Sequence, residues 1–122
     1  MFNMAEILIV DDYPDTCRML TRLIQKVNPS VDCVENGELA LHYCQEHDVK
    51  LIFLDWMMPG MTGLEFLYVL RANENFATVS VVMFSALSDE VRKERAIQAG
   101  AQDFIVKGKI DEVLTAVNKY TK

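Results

Sequence analysis

The chain has 122 residues, 51% apolar and 25% charged, with a net charge of −6. This length suits one domain with a real core, and no apolar run approaches the ~20 residues that cross a bilayer. The acidic balance argues against direct nucleic-acid binding, which needs a basic face for phosphate contacts.

The N-terminal "MFNMAEILIVDD" lacks the basic region and cleavage site of a signal peptide. Within it, residues 6–10 (EILIV) form a continuous apolar run, expected to be a buried strand. A helix should follow, with Asp12 as N-cap, Pro14 in the first turn and Cys17, Leu20, Ile24 and Val27 on its inner face. Residues 31–35 (VDCVE) alternate as an edge strand does. Asn36-Gly37 then turns the chain into a helix that buries Leu39, Ala40, Tyr43 and Cys44. Residues 51–54 (LIFL) are the third strand. After a Pro59-Gly60 turn, Leu64, Leu67 and Leu70 mark a third helix. Residues 79–84 (VSVVMF) are the fourth strand. Ser88 is placed to cap a fourth helix, with Asp89 and Glu90 in its first turn and Gly100 at its end. Residues 103–107 (DFIVK) are the fifth strand, and a helix from Ile110 to about Tyr120 closes the chain. No repeat or linker divides it, so residues 1–122 are read as a single domain.

Strand and helix alternating five times predict an α/β fold, a doubly wound five-stranded parallel sheet with helices on both faces. Right-handed crossovers and a polar second strand at one edge favour the order 2-1-3-4-5. Ligands of such sheets bind beyond the carboxyl ends of the strands, near the switch between strands 1 and 3. There the sequence puts Asp11 and Asp12, Asp55, Ser85 and Lys107, each closing its own strand. Three neighbouring carboxylates repel and need a cation or protons. An all-oxygen set suits a hard ion, and Mg²⁺ binds to one or two carboxylates with waters and a phosphate oxygen. Asp11, Asp12, Asp55 and the Met57 carbonyl are the candidate ligands. Lys107 would pair with Asp55 at rest, and Ser85 would offer a hydroxyl. A carboxylate between a metal and a lysine is equipped to accept a phosphoryl group.

The segments "LIVDD", "LIFLDWMMPGMTGLEFL", "VVMFSA" and "AGAQDFIVK" together resemble the receiver domain of two-component response regulators, across essentially the whole chain. The resemblance implies a flavodoxin-like fold and a cytoplasmic, Mg²⁺-dependent signalling switch without membrane attachment. Asp55 would be the phosphoacceptor, Asp11, Asp12 and Met57 its metal-binding companions, and Ser85 and Lys107 the partners of the phosphoryl oxygens. Ser85 and Phe104 would form the switch that repacks one face of the domain. The implied partners are a histidine kinase or phosphotransfer protein and a downstream protein target that the sequence does not name. Such a domain is not a turnover enzyme. Two departures stand out. Gly108 follows Lys107 where the family usually has proline after a cis bond, a bond that costs ~2.5–4 kcal/mol before any other residue. Met57 and Leu87 are apolar at positions that influence access of hydrolytic water, which implies slow self-dephosphorylation.

Plainer readings exist for each residue alone. Asp11-Asp12 resembles helix capping, Asp55 a turn-starting aspartate, Ser85 and Lys107 ordinary strand ends, and Phe104 core. Their convergence on one rim favours the site. His42 and His47 read as surface residues of the second helix. The run 89–95 (DEVRKER) reads as a solvated face with an Asp89–Lys93 pair. Tyr13, Met19 and Leu23 are either a docking patch for a kinase helix bundle or an extension of the core. Cys17, Cys33 and Cys44, odd in number and without metal-like spacing, read as reduced cysteines. Three functions compete: the switch, stand-alone or part of a larger regulator or hybrid kinase; a non-phosphorylated pseudo-receiver; and an aspartate-nucleophile phosphohydrolase. The last commonly carries an acid two residues after the nucleophile, where this chain has Met57.

Overall fold

A computed structural model describes residues 6–86 and 89–121. Strands β1 (Ile7–Val10), β2 (Val31–Val34), β3 (Leu51–Leu54), β4 (Ser80–Ser85) and β5 (Asp103–Val106) alternate with helices α1 (Pro14–Gln25), α2 (Gly37–Glu46), α3 (Gly63–Ala72), α4 (Glu90–Ala99) and α5 (Ile110–Tyr120). The strands pair in parallel in the order 2-1-3-4-5, as expected.

Strands β1 and β3 are buried at every position, because helices cover both faces of the sheet. On one face Leu8, Val10, Ile52, Leu54, Val81 and Met83 pack against Ala40 of α2, Phe66, Leu67 and Leu70 of α3 and Ala96 of α4. On the other, Ile7, Ile9, Phe53, Val82 and Phe84 pack against Leu20 and Ile24 of α1 and Val113 and Val117 of α5. Alternate residues of each strand thus enter different layers, the period-2 geometry of a pleated strand.

Local chemistry corrects several expectations. Pro14 opens α1, and the residue before a proline is held out of the helical region. Tyr13 therefore takes the N-cap place with φ −94° and ψ 111° and makes no side-chain cap bond. The acid that turns to the backbone is Asp11, whose Oδ1 accepts the Tyr13 N–H at 2.9 Å, so Asp12 is not the cap. Thr16 is buried in α1, whereas Val27 lies past the end of the helix and is 49% exposed. Leu39 of α2 is exposed and Tyr43 only partly covered. Ser88 lies outside the described residues; the N-cap of α4 is Asp89, which accepts the Arg92 N–H. Its first turn pairs Asp89 with Arg92 and Glu90 with Lys93, the (i, i+3) neighbours rather than the Asp89–Lys93 pair. Cys17 and Cys33 are joined by a disulfide across a Cα–Cα distance of 6.1 Å. Cysteine spacing alone could not place one half-turn of α1 over the inward side of β2.

Arg71, at the end of α3, ties together three elements whose ends would otherwise expose carbonyls. Its Nε and Nη2 donate to the Gly100 carbonyl at 3.1 and 2.9 Å, and Nη1 donates to Phe76 at 3.0 Å. Nη2 also donates to the Gln102 side chain, which accepts the Val81 N–H at 2.7 Å. Gly100 itself has φ +110°, a conformation that glycine adopts at little cost. Replacing Arg71 with Met keeps most of the packing but removes every donor. The expected loss is ~2 kcal/mol, since the Gly100 carbonyl loses both of its guanidinium donors. Urea unfolding of wild type and Arg71→Met checks this, with an unchanged midpoint as the contrary result.

Candidate functional site

The site follows from strand register. Strand β1 lies beside β3 with Val10 opposite Leu54, so the next residues, Asp11 and Asp55, leave the sheet side by side. The ladder continues one step further, as the Asp55 N–H donates to the Val10 carbonyl at 2.9 Å and the Asp11 N–H to Val34 at 3.1 Å. Both carboxylates are buried, at 2% and 8% exposure, while Asp12 is exposed. Oxygens of Asp11, Asp12 and Asp55 lie within 4.8 Å of one another.

Lys107 arrives from the end of β5. Its Nζ is 3.0 Å from Asp11 Oδ2 and 3.6 Å from Asp55 Oδ1, so the resting partner is Asp11 first and Asp55 second. The Lys107 N–H donates to the Ser85 carbonyl at 2.9 Å, which fixes the residue at its base. No peptide among the described residues is cis, and Gly108 has φ +108°. The lysine therefore reaches the acids through a trans Lys107–Gly108 bond, and the positive φ suits the glycine that stands here. Ser85, at the end of β4, is 1% exposed and lies one residue beyond the register of Asp55. Phe104, paired with Met83 across β5 and β4, is half-buried against the layer of α2, α3 and α4. The Met57 side chain is 61% exposed; Leu87 lies outside the described residues.

The loop after β3 explains the peculiar sequence there. Trp56 and Met58 turn inward, and the Trp56 N–H donates to Asp55 Oδ1 at 2.9 Å. The chain then doubles back, with the Gly63 N–H on the Trp56 carbonyl at 2.8 Å. A Cβ on Gly63 would stand 2.1 Å from the Asp55 carbonyl oxygen, so only glycine lets α3 begin this close to the acid. Thr62 and Glu65 cap that helix reciprocally, with Thr62 Oγ1 accepting the Glu65 N–H at 3.2 Å and Glu65 accepting the Thr62 N–H at 3.0 Å. The T-x-x-E spacing is the sequence signal for this support. Nothing in the sequence pointed to Gly63 as a positioning residue, because the contact is made across the turn.

Charge concentrated here perturbs Asp55. Burial, and then the Asp11 carboxylate, push its pKa up to about 6, while Lys107 and the Trp56 N–H pull it down and Asp12 adds a smaller upward push. Oxygen donors from three carboxylates, with no sulfur or imidazole in the cluster, fit a hard divalent ion rather than zinc or copper. Of the apolar residues considered for docking, Tyr13 is 58% and Met19 40% exposed, while Leu23 packs against the α1/α5 layer. His42 is exposed. His47 stacks on Tyr43 with centroids 3.8 Å apart and takes no part in the site.

The model of the response regulator receiver domain matches residues 7–118, and this chain belongs to that family. It is 36% identical over 105 residues to the transcriptional regulatory protein ResD of Bacillus subtilis, covering 86% of this chain and 42% of that protein. It is 35% identical over 103 residues to the cyclic di-GMP phosphodiesterase response regulator RpfG of Xanthomonas campestris, covering 83% of this chain and 27% of that protein. The chain thus spans less than half the length of these two relatives. Among solved structures, the chemotaxis protein CheY4 of Vibrio cholerae superposes with a TM-score of 0.88 at 25% identity, covering 96% of this chain and 98% of that one. No helix among the described residues is long and apolar enough to cross a membrane.

Two outcomes follow from this geometry. Between about pH 4 and 6 folded Asp55 holds a proton that the unfolded chain has released, so its contribution to stability falls as pH rises through that window. Asp55→Asn should therefore stabilise the metal-free protein at pH 7 by ~1–3 kcal/mol, and the gain should shrink as pH drops below 6. Denaturant titrations at pH 7.5 and pH 4.5 test both parts; an equal gain at the two values contradicts the burial of charge. Gly63→Ala should cost ~2 kcal/mol or more, because the added methyl meets backbone that cannot swing aside. Thermal unfolding measures it, and a neutral substitution would contradict the close approach.

Proposed function

We propose that this chain is a phosphorylation-dependent signalling switch. Asp55 accepts a phosphoryl group from a histidine kinase or phosphotransfer protein, and the modified domain engages its protein target differently. The carrying observation is the meeting of three carboxylates within 4.8 Å with Lys107 Nζ 3.0 and 3.6 Å from two of them. A nucleophilic carboxylate needs its charge and that of the incoming phosphate neutralised, since positioning and electrostatics supply most of the catalysis in phosphoryl transfer.

Asp11, Asp12, Asp55 and the Met57 carbonyl would hold Mg²⁺, which when bound offsets the negative charge of the carboxylates and phosphoryl oxygens. An Asp55 oxygen attacks the donor phosphorus as the bond to the donor nitrogen breaks. Lys107 shifts from its resting carboxylates toward a phosphoryl oxygen, as a flexible ammonium does. Ser85 donates its hydroxyl to another, and Phe104 turns with it, so that repacking around α4, β5 and α5 reports the modification. With apolar Met57 beside the acceptor, the phosphorylated form decays slowly, and residues 1–122 act as one receiver domain without turnover. The pseudo-receiver alternative drew on Gly108, yet the ammonium reaches both buried acids through a trans bond. The phosphohydrolase alternative lacks an acid at Met57.

Incubation with Mg²⁺ and acetyl phosphate, followed by intact-mass measurement, tests the reading. Wild type should gain one phosphoryl group and Asp55→Asn none, with Lys107→Ala reacting about 10²-fold more slowly. No adduct on wild type, or an adduct that survives Asp55→Asn, refutes it. Continuous phosphate release from a generic ester would favour the hydrolase.

A further inference from the structure

Cys17 and Cys33 join the first turns of α1 to β2, with Cα atoms 6.1 Å apart. Both are half-exposed, in contrast to buried Cys44. Their sulfurs are approached from two sides. One cleft, of about 440 Å³, is lined by the two cysteines together with Asp11, Asp12 and Glu35. The other, of about 400 Å³, is lined by the two cysteines with Arg18 and Arg22. Both cysteines lie at the margin of the layer around Leu20, Ile24 and Val113, packed against it from outside, and β2 is already paired to β1 along its length. An accessible disulfide, open to small thiols from two clefts, has the properties of a labile, regulatory one rather than a buried staple.

The bond also reaches the acidic site. Cys17 Sγ lies 3.5 Å from the Asp11 carbonyl oxygen, and the Cys17 N–H donates to Tyr13 at 3.2 Å. On the other side, Val34, next to Cys33, accepts the Asp11 N–H at 3.1 Å. The loop carrying Asp11 and Asp12 is thus tied to β2 before it by a hydrogen bond and after it by the sulfur bridge.

We propose that Cys17 and Cys33 are a reversible redox site which, when oxidised by a small disulfide of the glutathione type, clamps the acid-bearing loop to β2. In the first step one cysteine sulfur attacks the small disulfide, forms a mixed disulfide and expels one small thiol, which keeps the displaced proton. The second cysteine sulfur attacks the protein-bound sulfur of that mixed disulfide, forms the Cys17–Cys33 bond and expels the second small thiol with the second proton. Two electrons pass from the protein sulfurs to the small disulfide, and an excess of small thiol reverses both steps. Arg22, beside an Arg18 that is paired with Asp15, gives the second cleft a cationic side that suits the carboxylates of glutathione. In the reduced form the Cys17 thiol donates to the Asp11 carbonyl, a weaker and breakable tether. That the clamped loop serves phosphoryl transfer rests on the function proposed above; the thiol chemistry does not.

The test equilibrates the whole chain with graded ratios of reduced and oxidised glutathione, traps thiols with a maleimide in denaturant and reads intact mass. The expected result is three adducts at the reducing end and one at the oxidising end, the survivor mapping to Cys44. Cys17→Ser and Cys33→Ser should stop at a mixed glutathione adduct, and Cys44→Ser should still close the bond. Amide hydrogen exchange over residues 11–17 should slow several-fold on oxidation in wild type and Cys44→Ser, and stay unchanged in Cys17→Ser. Unvarying adduct number across all ratios, a bond to Cys44, or equal exchange in the two forms would overturn the proposal. None of these readouts uses a phosphodonor, so they fail or succeed independently of phosphoryl acceptance.

Discussion

Two carboxylates placed side by side at the ends of adjacent parallel strands govern this molecule. Asp11 and Asp55 cannot avoid each other, because the register of β1 and β3 sets their backbones one ladder step beyond Val10 and Leu54. Burial and the neighbouring charge raise Asp55 to about 6, so at neutral pH its anion is held at a cost to stability. Two apolar layers, one on each face of the sheet, must supply the offset. The fold accepts a weakened spot in order to hold two buried carboxylates side by side.

The counter-charge is supplied from a distance. Lys107 comes from the fifth strand, anchored by its N–H on Ser85 and turned by a glycine at φ +108°. It sits nearer to Asp11 than to Asp55, so the fully buried acid takes the stronger pairing and Asp55 keeps the upward shift. A carboxylate held this way is less stabilised as an anion than a closely ion-paired one would be. Its neighbours favour whatever brings in positive charge, and the exposed Asp12 gives that charge an entrance.

Much of this was legible before any coordinates. Continuous apolar runs ending in Asp11, Asp55, Ser85 and Lys107 implied a parallel sheet, and once the strand order is given the four ends fall on one rim. What escaped were contacts between residues that share no periodicity. Gly63 lies against the Asp55 carbonyl because the chain reverses through Pro59-Gly60. Arg71 finds Gly100 and Gln102 because α3 and α4 end at the same edge of the sheet. Cys17 meets Cys33 because α1 packs over the edge strand. Capping was misjudged for a local reason: Pro14 dictates the backbone of Tyr13 and hands the turn to Asp11, although Asp12 stands closer to the helix.

The three parts of the site are therefore supported separately. The Asp11 loop leans on β2, through Val34 and the cysteine pair. The Asp55 loop leans on α3, through Gly63 and the Thr62–Glu65 box. Lys107 leans on β4, through Ser85. A change in one support moves one charge relative to the other two, and at separations of 3–5 Å the electrostatic balance depends steeply on such shifts. The strand on which the Asp11 loop leans, β2, is an edge strand with a single neighbour. A covalent tie between α1 and that edge acts beside the Asp11 loop, at the margin of the core layer that the cysteine pair flanks.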